Sequence, residues 1–170
     1  MSAVRTETFL SKITVVEMTT RDLEDVVAIE NESGLSPWGR VGYAEELWNQ
    51  EAVMLVARES RTAWAPEHGR ILGFATARMV ISAAELHVNN IAIGADHRRL
   101  GLGGLLLRAV LARGRAMGAV TGLLEVRASN QAAQALYRSY GFAVIGERRK
   151  YYSNPDESAL VMRGFLPPRA

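Results

Sequence analysis

The chain contains no cysteine. That excludes disulfides, thiolate-bound zinc and a cysteine nucleophile, and it agrees with a cytoplasmic protein. No apolar run approaches the ~20 residues that a membrane-spanning helix needs. The first dozen residues, MSAVRTETFLSK, lack the apolar centre of a secretory signal and read as a flexible arm over residues 1–12. No internal repeat, low-complexity tract or linker divides the rest. The 170 residues therefore suit a single domain, placed at 13–166.

Charge of one sign is scarce in each half. Residues 1–96 carry 8 Lys and Arg against 14 Asp and Glu, a net −6; residues 97–170 carry 12 against 4, a net +8. An anionic ligand in the second half is the functional reading of that split. A compositional bias is the plainer one, since only 2 of the 20 basic residues are lysine.

The periodicities predict strands at 12–18, 52–59, 71–80, 85–93, 122–128, 142–152 and 158–165. Helices are expected over roughly 21–33, with Thr19 and Thr20 as N-caps, over 42–50, after Gly103 and over 130–140. In the third helix Leu102, Leu106, Ala109, Val110, Ala116 and Met117 form an apolar stripe, and Gly118 ends it. GLSPWGR (34–40) is a turn-rich break. SRTAWAPEHGR (60–70) reads as a hairpin loop of unusual length. The order β-α-α-β-β-β-α-β-α-β-β gives one α/β domain with a mixed sheet.

Within that order HRRLGLGG (97–104) joins a strand to a helix. Its glycines open the backbone, the first N–H groups of the helix lack internal partners, and Arg98 and Arg99 add positive charge. Such a junction suits a phosphate. A P-loop is excluded because Gly-Lys-Ser/Thr is absent, and a dinucleotide fingerprint from Gly101 fails at Leu106.

A second constellation lies in LLEVRASNQAAQALYRSYGF (123–142). Asn130 opens a helix and Tyr137 follows seven residues later, on nearly the same face and ~10 Å along it. Glu125 interrupts an apolar strand, a setting that raises a carboxyl pKa and suits a general base. Tyr137 can give a proton to a leaving group. Each has a structural alternative: Glu125 paired with Arg127, Asn130 as an N-cap, Tyr137 as a core aromatic.

RRLGLG resembles the R/Q-x-x-G-x-G/A signature of the GCN5-related N-acetyltransferases (GNAT). LEVRASN, ALYRSYGF, RRKYYSN and SALVM narrow the resemblance to the bacterial ribosomal-protein-alanine N-acetyltransferases (RimI), over residues 85–163. The N-terminal third matches only at Ser36-Pro37-Trp38. The resemblance implies a single-domain GNAT fold, a mixed, mostly antiparallel sheet flanked by helices. It implies acetyl-CoA as co-substrate, without a metal. Its pyrophosphate would be bound by Arg98, Arg99, Leu100, Gly101, Leu102, Gly103 and Gly104, and its pantetheine arm by the backbone of Ile91, Ala92 and Ile93 and by Asn130. Glu125 would be the base, taking the amine's proton through water, and Tyr137 the acid; N–H groups near Ala92 or Ile93 would hold the oxyanion. Trp38, Tyr151 and Tyr152 would line a groove for the acceptor, the N-terminal alanine of a small-subunit ribosomal protein. Trp38 as a core plug and the tyrosines as strand-edge aromatics are the alternatives.

The sequence departs from that family at Gly104, where relatives carry a basic residue, at Gly94-Ala95, and in the 60–70 loop with its Trp64. Acetylation of lysine or small amines, a non-catalytic acyl-CoA-binding module and nucleic-acid binding are the rival functions. Glu125 and Tyr137 argue against the binding module, and no nucleic-acid motif is present. A cytoplasmic monomer without direct nucleic-acid or membrane contact is expected. Gly101→Glu is expected to weaken acetyl-CoA binding by about tenfold or more, measured by calorimetry, because it sets a negative side chain at a phosphate loop.

Overall fold

A computed structural model describes residues 9–59 and 69–167. Residues 1–8 of the expected arm, and residues 60–68 with Trp64 of the expected long loop, lie outside the described residues. The strands are β1 (Ile13–Glu17), β2 (Ala52–Glu59), β3 (Arg70–Val80), β4 (Glu85–Ile93), β5 (Thr121–Arg127), β6 (Phe142–Ser153) and β7 (Asp156–Phe165). The main helices are α1 (Leu23–Ser33), α2 (Gly39–Glu46), α3 (Leu102–Ala116) and α4 (Gln131–Ser139). The seven strands form one sheet in the order β1-β2-β3-β4-β5-β7-β6. Neighbours are antiparallel except β4 and β5, whose parallel pairing follows from the crossover through α3.

Both faces of the sheet are covered. Leu106, Leu107, Val110 and Leu111 of α3 pack with Leu55, Ala77, Leu86 and Leu124 on one face. Leu23, Val26 and Ile29 of α1 pack with Tyr43, Val56 and Phe74 on the other. Strand β2 lies between both layers and is apolar from Ala52 to Ala57, as a doubly covered strand must be.

Two expectations shift. Helix α2 begins at Gly39, inside the stretch read as a break, and ends at Glu46. The buried Glu30 carboxylate accepts the N–H groups of Trp38 and Gly39 (2.8 and 3.0 Å), a cap supplied from α1 rather than from neighbouring sequence. In α3 the buried side is Leu102, Leu106, Leu107, Val110, Leu111 and Gly114, whereas Ala116 and Met117 are exposed at its end. Gly114 belongs to that side because a Cβ there would lie 2.5 Å from Leu86.

The constraint that opens a site sits in the middle of the sheet. Pairing between β4 and β5 runs from Glu85↔Thr121 to Val88↔Leu124 and stops. Strand β4 stays paired with β3 as far as Ile93↔Gly73, and β5 with β7 as far as Arg127↔Ala159. The register of β3 and β4 shifts between Ala77↔Val88 and Thr76↔Asn90, so Asn89 is an extra residue. This bulge bends β4 where the two strands part.

The far side of β5 is fixed by a packing slot. Gly122 and Gly164, paired across β5 and β7, lie under the Phe142 ring, and a Cβ on either would come within 2.9 Å of it. Tyr137 rests on the same ring, with centroids 6.2 Å apart. Gly164→Ala is expected to cost about 1–3 kcal/mol of stability by overpacking, read from denaturant midpoints, and to lower kcat by displacing Tyr137.

Candidate active site

Where β4 and β5 part, a cavity of about 360 Å³ opens, lined by the end of α1 and by α4. Trp38, Ile91, Glu125, Asn130, Tyr137, Tyr151 and Tyr152 all line it. Of the residues singled out from the sequence, the structure thus brings these seven to one place. Residues Ala92, Ile93 and 98–104 continue from it along β4 and the start of α3.

The edge of β4 offers unpaired backbone. The Gly94 N–H donates to the Leu72 carbonyl (2.9 Å), which sets the phase of the antiparallel ladder. By that alternation Ala92 turns its N–H and carbonyl to Phe74 of β3, whereas Ile91 and Ile93 turn theirs to the opening. The expectation for Ala92 is corrected accordingly: its backbone belongs to the β3 ladder and its side chain to the core under α1. The N–H groups of Ile91 and Ile93 are the ones placed for a ligand.

At the start of α3, Arg99 (φ 66°) and Gly101 (φ 85°) take left-handed conformations. The Leu105 N–H makes the helix bond back to the Gly101 carbonyl (3.1 Å). Leu102, Gly103 and Gly104 therefore present N–H groups without helical acceptors, although the Leu102 side chain is core. Arg98 is already engaged: its guanidinium donates to the carbonyls of Ile93 (3.1 Å) and Glu32 (2.9 Å), tying the loop to β4 and α1. Arg99 and Gly101 are exposed and Leu100 half-buried. Gly104 lies tightly against Tyr140. A Cβ there would lie 3.3 Å from the Tyr140 hydroxyl, which donates to the Gly104 carbonyl (2.9 Å). Free β4 backbone leading to free helix-start N–H groups fits an extended pantetheine arm followed by a pyrophosphate. Among the described residues no group of metal-ligating side chains is assembled.

Asn130 is both N-cap and cavity residue. Its Oδ1 accepts the Ala133 N–H (3.0 Å) while its side chain remains exposed at the opening. Tyr137 is buried, and burial first, then the nearby Tyr152, pushes its pKa up to about 12.

Glu125 differs from the isolated carboxylate expected in an apolar run. Its side chain is 22% exposed, and Oε1 lies 2.9 Å from Arg148 of β6. The Tyr151 hydroxyl hydrogen-bonds to it, which raises the tyrosine pKa. Arg127, the partner considered from sequence, pairs instead with Glu157 (3.3 Å). Alternation along β6 alone would separate Tyr151 from Tyr152. However, its register runs from Arg148↔Ala159 to Tyr152↔Glu157, with two extra residues and Lys150 at φ 52°. That irregularity turns both rings to the cavity, edge to face at 5.0 Å.

The opposite wall is Ser33 to Trp38. Trp38 stacks on Tyr43 at 5.4 Å. The Tyr43 hydroxyl donates to Glu30 (2.6 Å) and is the acceptor for Asn90 Nδ2 (3.4 Å). Burial and then Glu30 drive the Tyr43 pKa far above its ordinary value. Trp38 is thus partly a core residue and partly a wall. Sequence reasoning missed His87, Asn89 and Glu157. His87 shares the Glu125 face by strand alternation, a signal available in principle; Glu157 reaches the site only through the hairpin.

Tyrosine ionises on losing a proton, so a pKa raised in the folded state stabilises the fold below pH ~10 and is lost as pH climbs toward about 12. Stability is therefore expected to fall between pH 10 and 12, and less in Tyr137→Phe, measured by denaturant titration at each pH.

The sequence pattern described as the acetyltransferase (GNAT) family matches residues 23–142. The [ribosomal protein bS18]-alanine N-acetyltransferase of Escherichia coli K12 is 35% identical over 151 residues, which are 88% of this chain and 95% of that protein. The N-alpha-acetyltransferase RimI of Mycobacterium tuberculosis is 31% identical, over 89% of this chain and 91% of its own. The crystal structure of the Escherichia coli ribosomal-protein-S18-alanine N-acetyltransferase superposes with a TM-score of 0.78 at 30% identity, covering 93% of this chain and 96% of that one.

Proposed function

This chain belongs to the acetyltransferase (GNAT) family, and we propose that it moves the acetyl group of acetyl-CoA to the N-terminal α-amine of a protein. The acceptor is the N-terminal alanine of a small-subunit ribosomal protein of the bS18 kind, which implies a cytoplasmic reaction. The observation that carries the reading is one cleft in which Glu125 and Tyr137 stand beside the free edge of β4 and between two aromatic-bearing walls.

Bound acetyl-CoA supplies the thioester carbon that the amine attacks. The N–H groups of Ile91 and Ile93 hold the arm and the thioester oxygen. Leu102 to Gly104 offer backbone donors to the pyrophosphate, with Arg99 as the nearby cation, while Arg98 fixes the loop. Asn130 contacts the arm at the opening. Glu125 takes the proton of the attacking amine through water, and Arg148 and Tyr151 hold its carboxylate in place.

Tyr137 faces the departing sulfur. With its pKa near 12 the phenol stays protonated at working pH. Full transfer to a thiolate, whose conjugate acid lies at roughly 8.5, is uphill. The hydroxyl therefore acts first as a hydrogen-bond donor to the developing charge, and its proton is replaced from solvent when transfer occurs. No covalent acyl-enzyme is needed, in keeping with a chain without cysteine. Trp38, Tyr151 and Tyr152 bracket the first residues of the acceptor.

Thiol release from acetyl-CoA tests this with three acceptors: an Ala-initiated peptide, its N-terminally blocked lysine-containing copy, and spermidine. Turnover is expected with the free alanine terminus and to fall by about 10²–10⁴-fold in Glu125→Gln. Turnover with the blocked peptide or spermidine instead would discard the acceptor and keep the fold.

A further inference from the structure

We propose that Arg127 is a positioning residue of the acceptor groove, a guanidinium that ties its two walls together. The inference rests on the N-terminal-amine reading of the cleft. Arg127 lies two residues beyond Glu125 on the same face of β5, and its side chain is 20% exposed. Its Nη2 donates to the carbonyl of Asn154 (3.1 Å), in the turn between β6 and β7, and to the carbonyl of Gly34 (3.4 Å), the αL residue that ends α1. Its Nη1 meets Glu157 at 3.3 Å, and its Cζ stands 4.0 Å over the Tyr152 ring.

Gly34 opens the wall that ends at Trp38; Asn154 closes the wall that carries Tyr151 and Tyr152. These segments are distant in sequence, and each turns a carbonyl toward the same point. Two carbonyls have no attraction for one another and need a shared donor. A guanidinium serves both, pairs with a carboxylate and stacks on an aromatic face at once, because its donors form a planar fork. A lysine ammonium has neither the fork nor the plane.

Glu157 extends the effect. Its other oxygen accepts the Ser129 N–H at the entrance to α4, and hydrogen bonding to Ser129, through its side chain first and then its backbone, lowers the Glu157 pKa. The tie therefore reaches the segment that carries Asn130. The Arg127 guanidinium itself touches neither Asn130, which is held by its own bond to the Ala133 N–H, nor Ile91, Ile93 or the start of α3, so acceptor binding should depend on it and acetyl-CoA binding should not.

The test is steady-state kinetics of the full chain, wild type, Arg127→Ala and Arg127→Lys, varying the Ala-initiated peptide and acetyl-CoA in turn. Arg127→Lys keeps charge and stem and guards against loss of fold in the alanine variant. In both variants the peptide KM is expected to rise about tenfold, with the acetyl-CoA KM within about twofold of wild type. An unchanged peptide KM, a rise in both KM values together, or full rescue by lysine overturns the proposal while leaving the acceptor reading intact. A wild-type enzyme that does not acetylate the peptide overturns the acceptor reading, and this proposal with it.

Discussion

The loss of pairing between β4 and β5 is the constraint on which the remaining structure depends. Backbone donors and acceptors withdrawn from a sheet must find other partners, and here the strands part at the Asn89 bulge while β3 and β7 still hold them. The opening is therefore flanked on both sides by strands that remain paired to their other neighbours. Its β4 edge leads in one direction to the unpaired N–H groups of α3. Its β5 edge carries Glu125 and Arg127 toward the hairpin. A ligand with a polar chain and an anionic end matches the first direction, and a peptide end matches the second.

Charge is used around this opening to place groups rather than to strengthen the fold. Glu30 is a buried carboxylate that accepts two backbone N–H groups and a phenol, bonds worth about 1.5–3 kcal/mol each when one partner is charged. The desolvation it suffers offsets much of that. What remains is geometry: α2 starts at one residue, and Trp38 stands at one angle. Glu125 with Arg148, and Glu157 with Arg127, repeat the pattern on the other wall. Each carboxylate is held by a cation from an element far away in sequence.

Much of this was legible locally. The strand pattern, the glycine-rich helix start and the placement of Asn130 and Tyr137 on one helix face all follow from short-range periodicity and backbone chemistry. Glu125 stood out because a charge in an apolar strand is costly. What was not legible there has a common origin. The start of α2, the partner of Glu125 and the orientation of the tyrosine pair each depend on contacts or register across distant segments. The direction of the Ala92 backbone likewise depends on which strand lies beside it. Tyr140, 36 residues later, donates to the Gly104 carbonyl, a contact no local pattern shows.

By itself the sequence determined the order of elements, the faces they bury and the residue types available for acetyl transfer, because periodicity and turn chemistry are properties of neighbouring residues. Only the tertiary structure decided where β4 leaves β5, which carbonyls Arg98 and Arg127 occupy, and that two adjacent tyrosines share one side of a strand. Those outcomes are set by register shifts and by groups brought together from opposite ends of the chain, and a linear pattern holds no record of either.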